Sequence, residues 1–357
     1  MPKDLSMEIY IRSASCISPQ QTFGAAELPI DVKSYSENKF VAIEPDYKTY
    51  LNIPSARRMS RLIKMGVCAA LSCLKDADVK VPDAIIAGTG LGCMEDSEKF
   101  LASLIVNNEQ ILSPTSFIFS THNTVAAQVA LLLQCNNYNF THTHRGLSFE
   151  NSLLDSILFL HDHPDANILT GATDELTVTS YKILDRLGII KKETDQNTFS
   201  RSQTAGTIPG EGSVFFTLSG VADQRNLAKL SAVTTFSNPS GKDEIDARVA
   251  EFILHHKITT GDYILTGING DAQSDKIYHA VLEERFSANR KGTYKDLCGE
   301  YHTSTAFACW ASTGMLKSQR VPTGLFHDGA AGSAVNRILI FNHYKEREFS
   351  LILLERC

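Results

Sequence analysis

The chain has 357 residues, 43% of them hydrophobic and 21% charged, with a formal net charge of −6. That balance belongs to a globular protein with enough core for two lobes. It gives no electrostatic footprint for nucleic acid or an anionic membrane, and no apolar run reaches the roughly 18–20 residues that cross a bilayer.

An early strand at Glu8-Ile9-Tyr10-Ile11-Arg12 leads through Ser18-Pro19 into a polar stretch. The start, Met1-Pro2-Lys3-Asp4, lacks the basic-then-apolar order of a secretory signal. Ser55 reads as an N-cap, after which Met59, Leu62, Ile63, Val67, Ala70 and Leu74 recur at helical spacing as one apolar stripe. The strand Ala84-Ile85-Ile86-Ala87 runs into Gly88-Thr89-Gly90-Leu91-Gly92. A dinucleotide fingerprint would open a helix and carry an acidic residue about twenty positions on; this motif stops short and reads as a tight turn.

Residues 123–134, rich in alanine and leucine, predict a buried helix, and residues 146–161 predict another. Buried strands follow at residues 167–172 and 213–218. A strand at residues 230–236 and an amphipathic helix carrying Ile245, Val249, Phe252 and Ile253 come next. After the strand Tyr263-Ile264-Leu265-Thr266, residues 337–341 and 349–354 predict a closing hairpin around residues 342–348. Alternating short strands and amphipathic helices indicate an α/β protein. A boundary near residue 221 divides it into halves 1–220 and 221–357, with no strict sequence repeat between them.

The eight cysteines lie apart, without Cys-x-x-Cys pairs, mostly in apolar contexts such as Gly66-Val67-Cys68-Ala69. They predict reduced thiols in a cytoplasm rather than a disulfide framework. The histidine-rich spots at His142/His144 and His161/His163 lack the three or four converging ligands that a metal requires. No metal is expected.

The order of landmarks resembles the β-ketoacyl synthase branch of the thiolase superfamily across nearly the whole chain. The pieces are the first strand with Ser18-Pro19, then Arg58-Met59-Ser60-Arg61 and a helix ending Leu74-Lys75-Asp76-Ala77. Ser113-Pro114 with Asn123, the turn Gly171-Ala172-Thr173-Asp174-Glu175, and Pro209-Gly210-Glu211-Gly212-Ser213 complete the series. The resemblance implies an α/β thiolase-like layered α-β-α-β-α fold from two similar halves, and no cofactor.

It also implies a site. Such acyltransferases use a thiolate at a helix N-terminus, whose dipole lowers the thiol pKa, and two further side chains that stabilise an enolate oxygen. Counted back from Gly146, the nucleophile position holds Thr143, not cysteine. His142 and His144 would alternate to the face opposite Thr143. The first histidine position falls on Asn269, in Ile268-Asn269-Gly270-Asp271, with Asp275 as the candidate for the segment's closing aspartate; a turn stabilised by Asn-Gly explains it equally well. The second falls in Lys295-Asp296-Leu297-Cys298-Gly299, where the histidine is either replaced by Glu300 or displaced to His302. The family's glycine-rich closing loop is replaced by Asn342-His343-Tyr344-Lys345-Glu346-Arg347, a charged hairpin tip.

With several catalytic landmarks changed on an intact scaffold, the sequence resembles a chain-length factor or the synthase-like proteins of aryl polyene and flexirubin-type pathways. That implies a non-condensing subunit pairing with an active ketosynthase, or with itself as a dimer, and served by an acyl carrier protein. Fatty-acid, polyketide and aryl polyene biosynthesis are the settings. Phe117 and Phe119 are candidates for an acyl tunnel or interface, against ordinary core packing. Two alternatives stay open: an active acyltransferase with a displaced nucleophile, for which Cys298 is the candidate, and a carrier-docking scaffold without an acyl pocket.

Overall fold

The computed structural model describes residues 7–29, 38–110, 112–192, 202, 204–325 and 334–357. In chain order the first half contains β1 (Tyr10–Ile17), α1 (Ile53–Ala56), α2 (Arg61–Asp76), β2 (Ala84–Gly88), α3 (Met94–Val106), α4 (Pro114–Phe119) and α5 (Thr124–Leu133). It continues with β3 (Tyr138–His142), α6 (Ser148–Asp162), β4 (Asn167–Asp174), α7 (Val178–Arg186) and β5 (Gly212–Ser219). The second contains β6 (Ala228–Ser237), α8 (Lys242–His255), β7 (Tyr263–Thr266), α9 (Asp275–Arg285) and β8 (Arg290–Thr293). It ends with α10 (Lys295–Cys298), α11 (Thr305–Ser318), β9 (Arg337–Tyr344) and β10 (Glu348–Glu355).

The strands form a ten-stranded sheet in the order β3-β2-β4-β5-β1-β6-β10-β9-β7-β8. Outward from the β1–β6 seam, the second half repeats the order of the first with each strand number raised by five. Directions repeat too. β2 lies parallel to β3 and β4, as β7 does to β8 and β9, and the remaining neighbours within each half are antiparallel. The similarity of the halves is one of topology, which a search for repeated letters does not find. The seam is short, pairing only Tyr10 with Lys229 and Ile11 with Ala228.

Alternation along the strands divides the core. Ile85 turns outward to Leu62, Ile63, Val67, Val125 and Val129 on α2 and α5, whereas Ile86 turns inward. Ile264 and Leu351 face Ile245, Val249, Tyr278 and Val281 on α8 and α9. Their neighbours Leu265 and Ile352 meet Phe149 and Leu153 of α6 and Phe307, Trp310 and Met315 of α11. Outer helices, sheet, central helices, sheet and outer helices follow as layers. Buried from Thr305 through Leu316, α11 is enclosed all round and mostly apolar, as a central helix must be.

Three local expectations change. The long helix begins at Arg61, after Ser60, because residues 53–56 form a separate short turn; the side chain of Ser55 lies outside the described residues. Helix α5 buries one face only, leaving Leu131 69% exposed. In the closing hairpin β9 continues to Tyr344, and the turn is tightened by positive φ at Lys345 and Glu346.

Candidate functional site

Strand β3 ends at His142, and α6 starts at Ser148 after a 3-10 turn at Arg145–Leu147. Arg145 has a φ of 44°. A non-glycine residue in the left-handed region, on a sharp strand-to-helix turn, is a strained device that projects its side chain at the helix opening. Arg145 therefore stands there. Thr143 lies two residues earlier and exposed, because counting back from Gly146 ignored the intervening 3-10 turn. His142 Nε2 meets Asp155 Oδ2 at 3.1 Å and His144 Nδ1 meets Asn151 at 3.0 Å, so both rings are engaged along α6.

The opening is also covered. Gly146 donates its N–H to Glu348 Oε2 at 2.8 Å, placing a carboxylate at the positive end of α6. A Cβ on Gly146 would lie 2.3 Å from Tyr344 Cβ, so the glycine lets the Tyr344 side chain settle onto the turn. No cysteine lies at this turn; seven are buried elsewhere and Cys357 is exposed.

The positions held by Asn269, Lys295 and Glu300 do converge. Lys295 is wholly buried, and its Nζ meets Glu300 Oε2 at 2.8 Å. Asn269 Nδ2 donates to the same oxygen at 2.7 Å. Glu300 is set by a backbone exchange in which its N–H bonds Ile208 O and Gly210 N–H bonds its carbonyl. Gly210 and Gly299 make that approach possible: a Cβ on Gly210 would lie 1.9 Å from Cys298 O, and Gly299 has a φ of 76°. Asn269 is held by Asp275, which accepts the N–H groups of Asn269 and Gly270, and by Thr207, whose hydroxyl bonds Asn269 O at 2.8 Å. Burial pushes the Asp275 carboxyl up to about 7.

The scaffold motifs meet in a second pair. Arg61 grips the buried Glu211 through two 2.6 Å bonds, and Glu211 also accepts the N–H groups of Ala42 and Leu176.

Glu300, not His302, follows Gly299 into the cluster. His302 turns to Tyr344, with its Nε2 2.9 Å from the hydroxyl, and lies so close to Gly90 that any Cβ there would strike its ring. Burial holds His302 below the usual imidazole range, against the pull of Asp174 and Glu300. Asp174 accepts Thr89 Oγ1 and Gly90 N–H on one oxygen, and Thr303 N–H and Oγ1 on the other. The adjoining His343 is stacked on Tyr278 and depressed to about 3 by burial. Its Nε2–H donates to Ser274 O.

These groups form one end of a cavity of ≈ 590 Å³. Asn269, Glu300, His302 and Tyr344 line that end, while Leu91, Met94, Leu176, Ile183, Leu184 and Ile190 supply apolar wall. Sequence reasoning missed Arg145, Tyr344, Glu348 and the apolar wall on α7. The wall is legible only as the alternation of apolar residues along a helix, whereas Tyr344 and Glu348 carry no signal before the hairpin register is known.

Other candidates stand apart. Cys298 is fully buried, its thiol donating to Gly299 O at 3.4 Å, and burial raises its pKa well above the usual thiol range. It does not line the cavity. Phe117 is 56% exposed and rests on the Phe100 ring, and Phe119 is half-buried against the outer-layer cluster. Neither reaches the cavity. Among the described residues no cluster could hold a metal ion, and no helix is long and apolar enough to cross a membrane.

Three solved structures share this architecture. The ishigamide ketosynthase/chain length factor superposes with a TM-score of 0.81 at 14% identity, covering 98% of this chain and 99% of that one. The fold is that of the ketosynthases. This ketosynthase fold also matches a β-ketoacyl synthase from Burkholderia phymatum STM815, with a TM-score of 0.77, 14% identity, and 99% and 100% coverage. A type II polyketide ketosynthase, bound to the hexaketide and in complex with its acyl-carrier protein, matches with a TM-score of 0.74, 12% identity, and 98% and 100% coverage. Residues 35–188 match the model of the β-ketoacyl synthase N-terminal domain. No curated protein sequence matches the chain.

Proposed function

We propose that this chain is a ketosynthase-like subunit that does not itself condense, working beside a cysteine-bearing ketosynthase and an acyl carrier protein in polyketide or related chain building. The opening of α6 carries the reading. A condensing thiol must ionise near neutral pH, for which an uncompensated helix N-terminus is the usual means. Here a guanidinium side chain stands at the turn, the Glu348 carboxylate takes the Gly146 N–H, and Tyr344 covers the remainder.

The second half-reaction lacks support as well. An enolate oxygen needs free donors. Asn269 spends an amide hydrogen on Glu300, and the carboxylate of Glu300 would repel a developing negative charge.

Partnership is favoured by the sheet edge. Among the described residues strand β3 ends the sheet without a covering strand, and Tyr138 and Phe140 are 41% and 47% exposed. Ile105, Phe117, Ile118 and Leu131 from α3, α4 and α5 add further exposed apolar surface. An unprotected edge with an apolar margin calls for a partner strand. The ketosynthase/chain length factor and the carrier-bound ketosynthase of the same fold give the class of partner.

The test is reconstitution. Co-expressed with a cysteine-bearing ketosynthase, the chain should co-purify with it, and the pair should elongate a carrier-bound acyl group that this chain alone leaves unchanged. Elongation by the isolated chain would refute the proposal.

A further inference from the structure

Carboxyl groups outnumber cations in the cavity wall, and one of them has a free oxygen. Glu300 is neutralised by the buried Lys295. Asp174, Glu175, Asp271 and Glu346 also line the cavity, and none of them makes an ion pair among the described residues. Lys345 is the one lysine or arginine among the described lining residues, and its Nζ lies over the Tyr344 ring, 5.4 Å from the centroid. Burial holds His302 below the usual imidazole range, so it adds no cation near neutral pH.

Asp174 and Asp271 have both oxygens taken by backbone and hydroxyl donors. Glu175 differs. Its Oε1 accepts the Glu95 N–H at 2.9 Å, while Oε2 has no hydrogen-bond partner among the described residues and, unlike Glu300 Oε1, is not sealed from solvent. Glu95 and Lys99 of α3 face Glu175, with Cys93 before that helix, Arg61 on α2 and Glu211 before β5. Both cations are spent elsewhere, Lys99 on Glu95 and Arg61 on Glu211 and Glu44. Burial, with Glu95 and Glu211 beside it, pushes the Glu175 carboxyl up to about 7.

An acidic, partly dehydrated site draws in a cation and repels an anion. An ammonium on Glu175 would make a charge-assisted hydrogen bond to the free oxygen. Leu91, Met94, Leu176, Ile183 and Leu184 give a hydrocarbon body a place out of water in the same cavity.

We propose that this cavity is a non-covalent binding site for an apolar-bodied primary amine, its ammonium bonded to Glu175 Oε2 and its chain lying against α7. The inference rests on the non-condensing reading only in taking the cavity to be free of a covalently attached acyl group.

Calorimetric titrations of the full chain with decylamine, decanol and decanoate test it. At pH 8 decylamine should bind about ten-fold more tightly than decanol, with decanoate the weakest. Lowering the pH to 6.5 protonates Glu175, so decylamine binding should weaken about four-fold while decanol binding stays unchanged. Asp275 and Glu150 titrate in the same range, and Glu175→Gln separates them from the site. It should remove the pH dependence and most of the preference for the amine. Ile183→Gln, on an exposed face of α7, should weaken all three probes. Decanol or decanoate binding as tightly as decylamine, a preference that survives intact in E175Q, or no binding by any probe would overturn the inference. Should E175Q not fold, the wild-type order at pH 8 decides alone. A ketosynthase complex that forms while no probe binds would sink the cavity proposal and leave the partner role standing; bound decylamine without a complex would do the reverse.

Discussion

Lys295 and Glu300 form a buried ion pair whose consequences are local. Lys295 is wholly buried beside a carboxylate that is 12% exposed, so each charge depends on the other. Lys295→Met strands Glu300 and should cost roughly 2–4 kcal/mol in denaturant unfolding. Lys295→Met combined with Glu300→Gln should recover most of that loss. Glu150 presents the opposite problem. It is fully buried in the central layer, accepts from Ser350 at 2.9 Å, and has a second oxygen without a partner. Burial pushes its carboxyl up to about 7. The folded state thus prefers the protonated form, and the associated stability is present at low pH and lost as pH rises from the ordinary carboxylate range through 7. Glu150→Gln should melt close to wild type at pH 5 and above it at pH 8; a gap that does not widen with pH would discard this explanation. Neither residue's burial could be read in the sequence. Asn269 and Lys295 were reached through the family resemblance, whose segments Gly270 and Gly299 mark, while Glu150 sits in an unremarkable polar-apolar helix.

Elements were easier to read than their edges. Strands β2, β4, β5 and β7 and helices α5, α6 and α8 were expected almost where they lie, since two-residue and helical periodicities mark them directly. The transition from β3 into α6 was misjudged by two residues. A 3-10 turn intervenes, and a positive φ at an arginine leaves no mark in composition. The residue with left-handed backbone at this turn is Arg145, two positions after Thr143. The slip leaves the absence of a thiol unchanged. The exposed face of β3 was not read from the sequence, where the interface candidates were Phe117 and Phe119. Its physical content is testable: Phe140→Lys adds a charge at the open edge, which should prevent pairing there. Gel filtration should show loss of the ketosynthase complex, with a melting temperature within about 2 °C of wild type, since exposed substitutions change stability little.

At the scale of the whole molecule, two halves with one strand order enclose α6 and α11. The fold was legible because many weak landmarks fell in one order, and Arg61 with Glu211 shows why some of them belong together: residues from separate motifs form one ion pair. Chemistry was less legible, because it depends on which side chains fill a shared space. Tyr344 and Glu348 come from the last hairpin, yet they close a turn two hundred residues earlier in the chain (|i−j| of 202 for the Glu348 bond). The non-condensing reading follows from that closure. Intact-mass spectrometry after incubation with an acylated carrier protein tests it most directly. The account predicts an unchanged mass. A stoichiometric acyl adduct that disappears in Cys298→Ala or Thr143→Ala would contradict it.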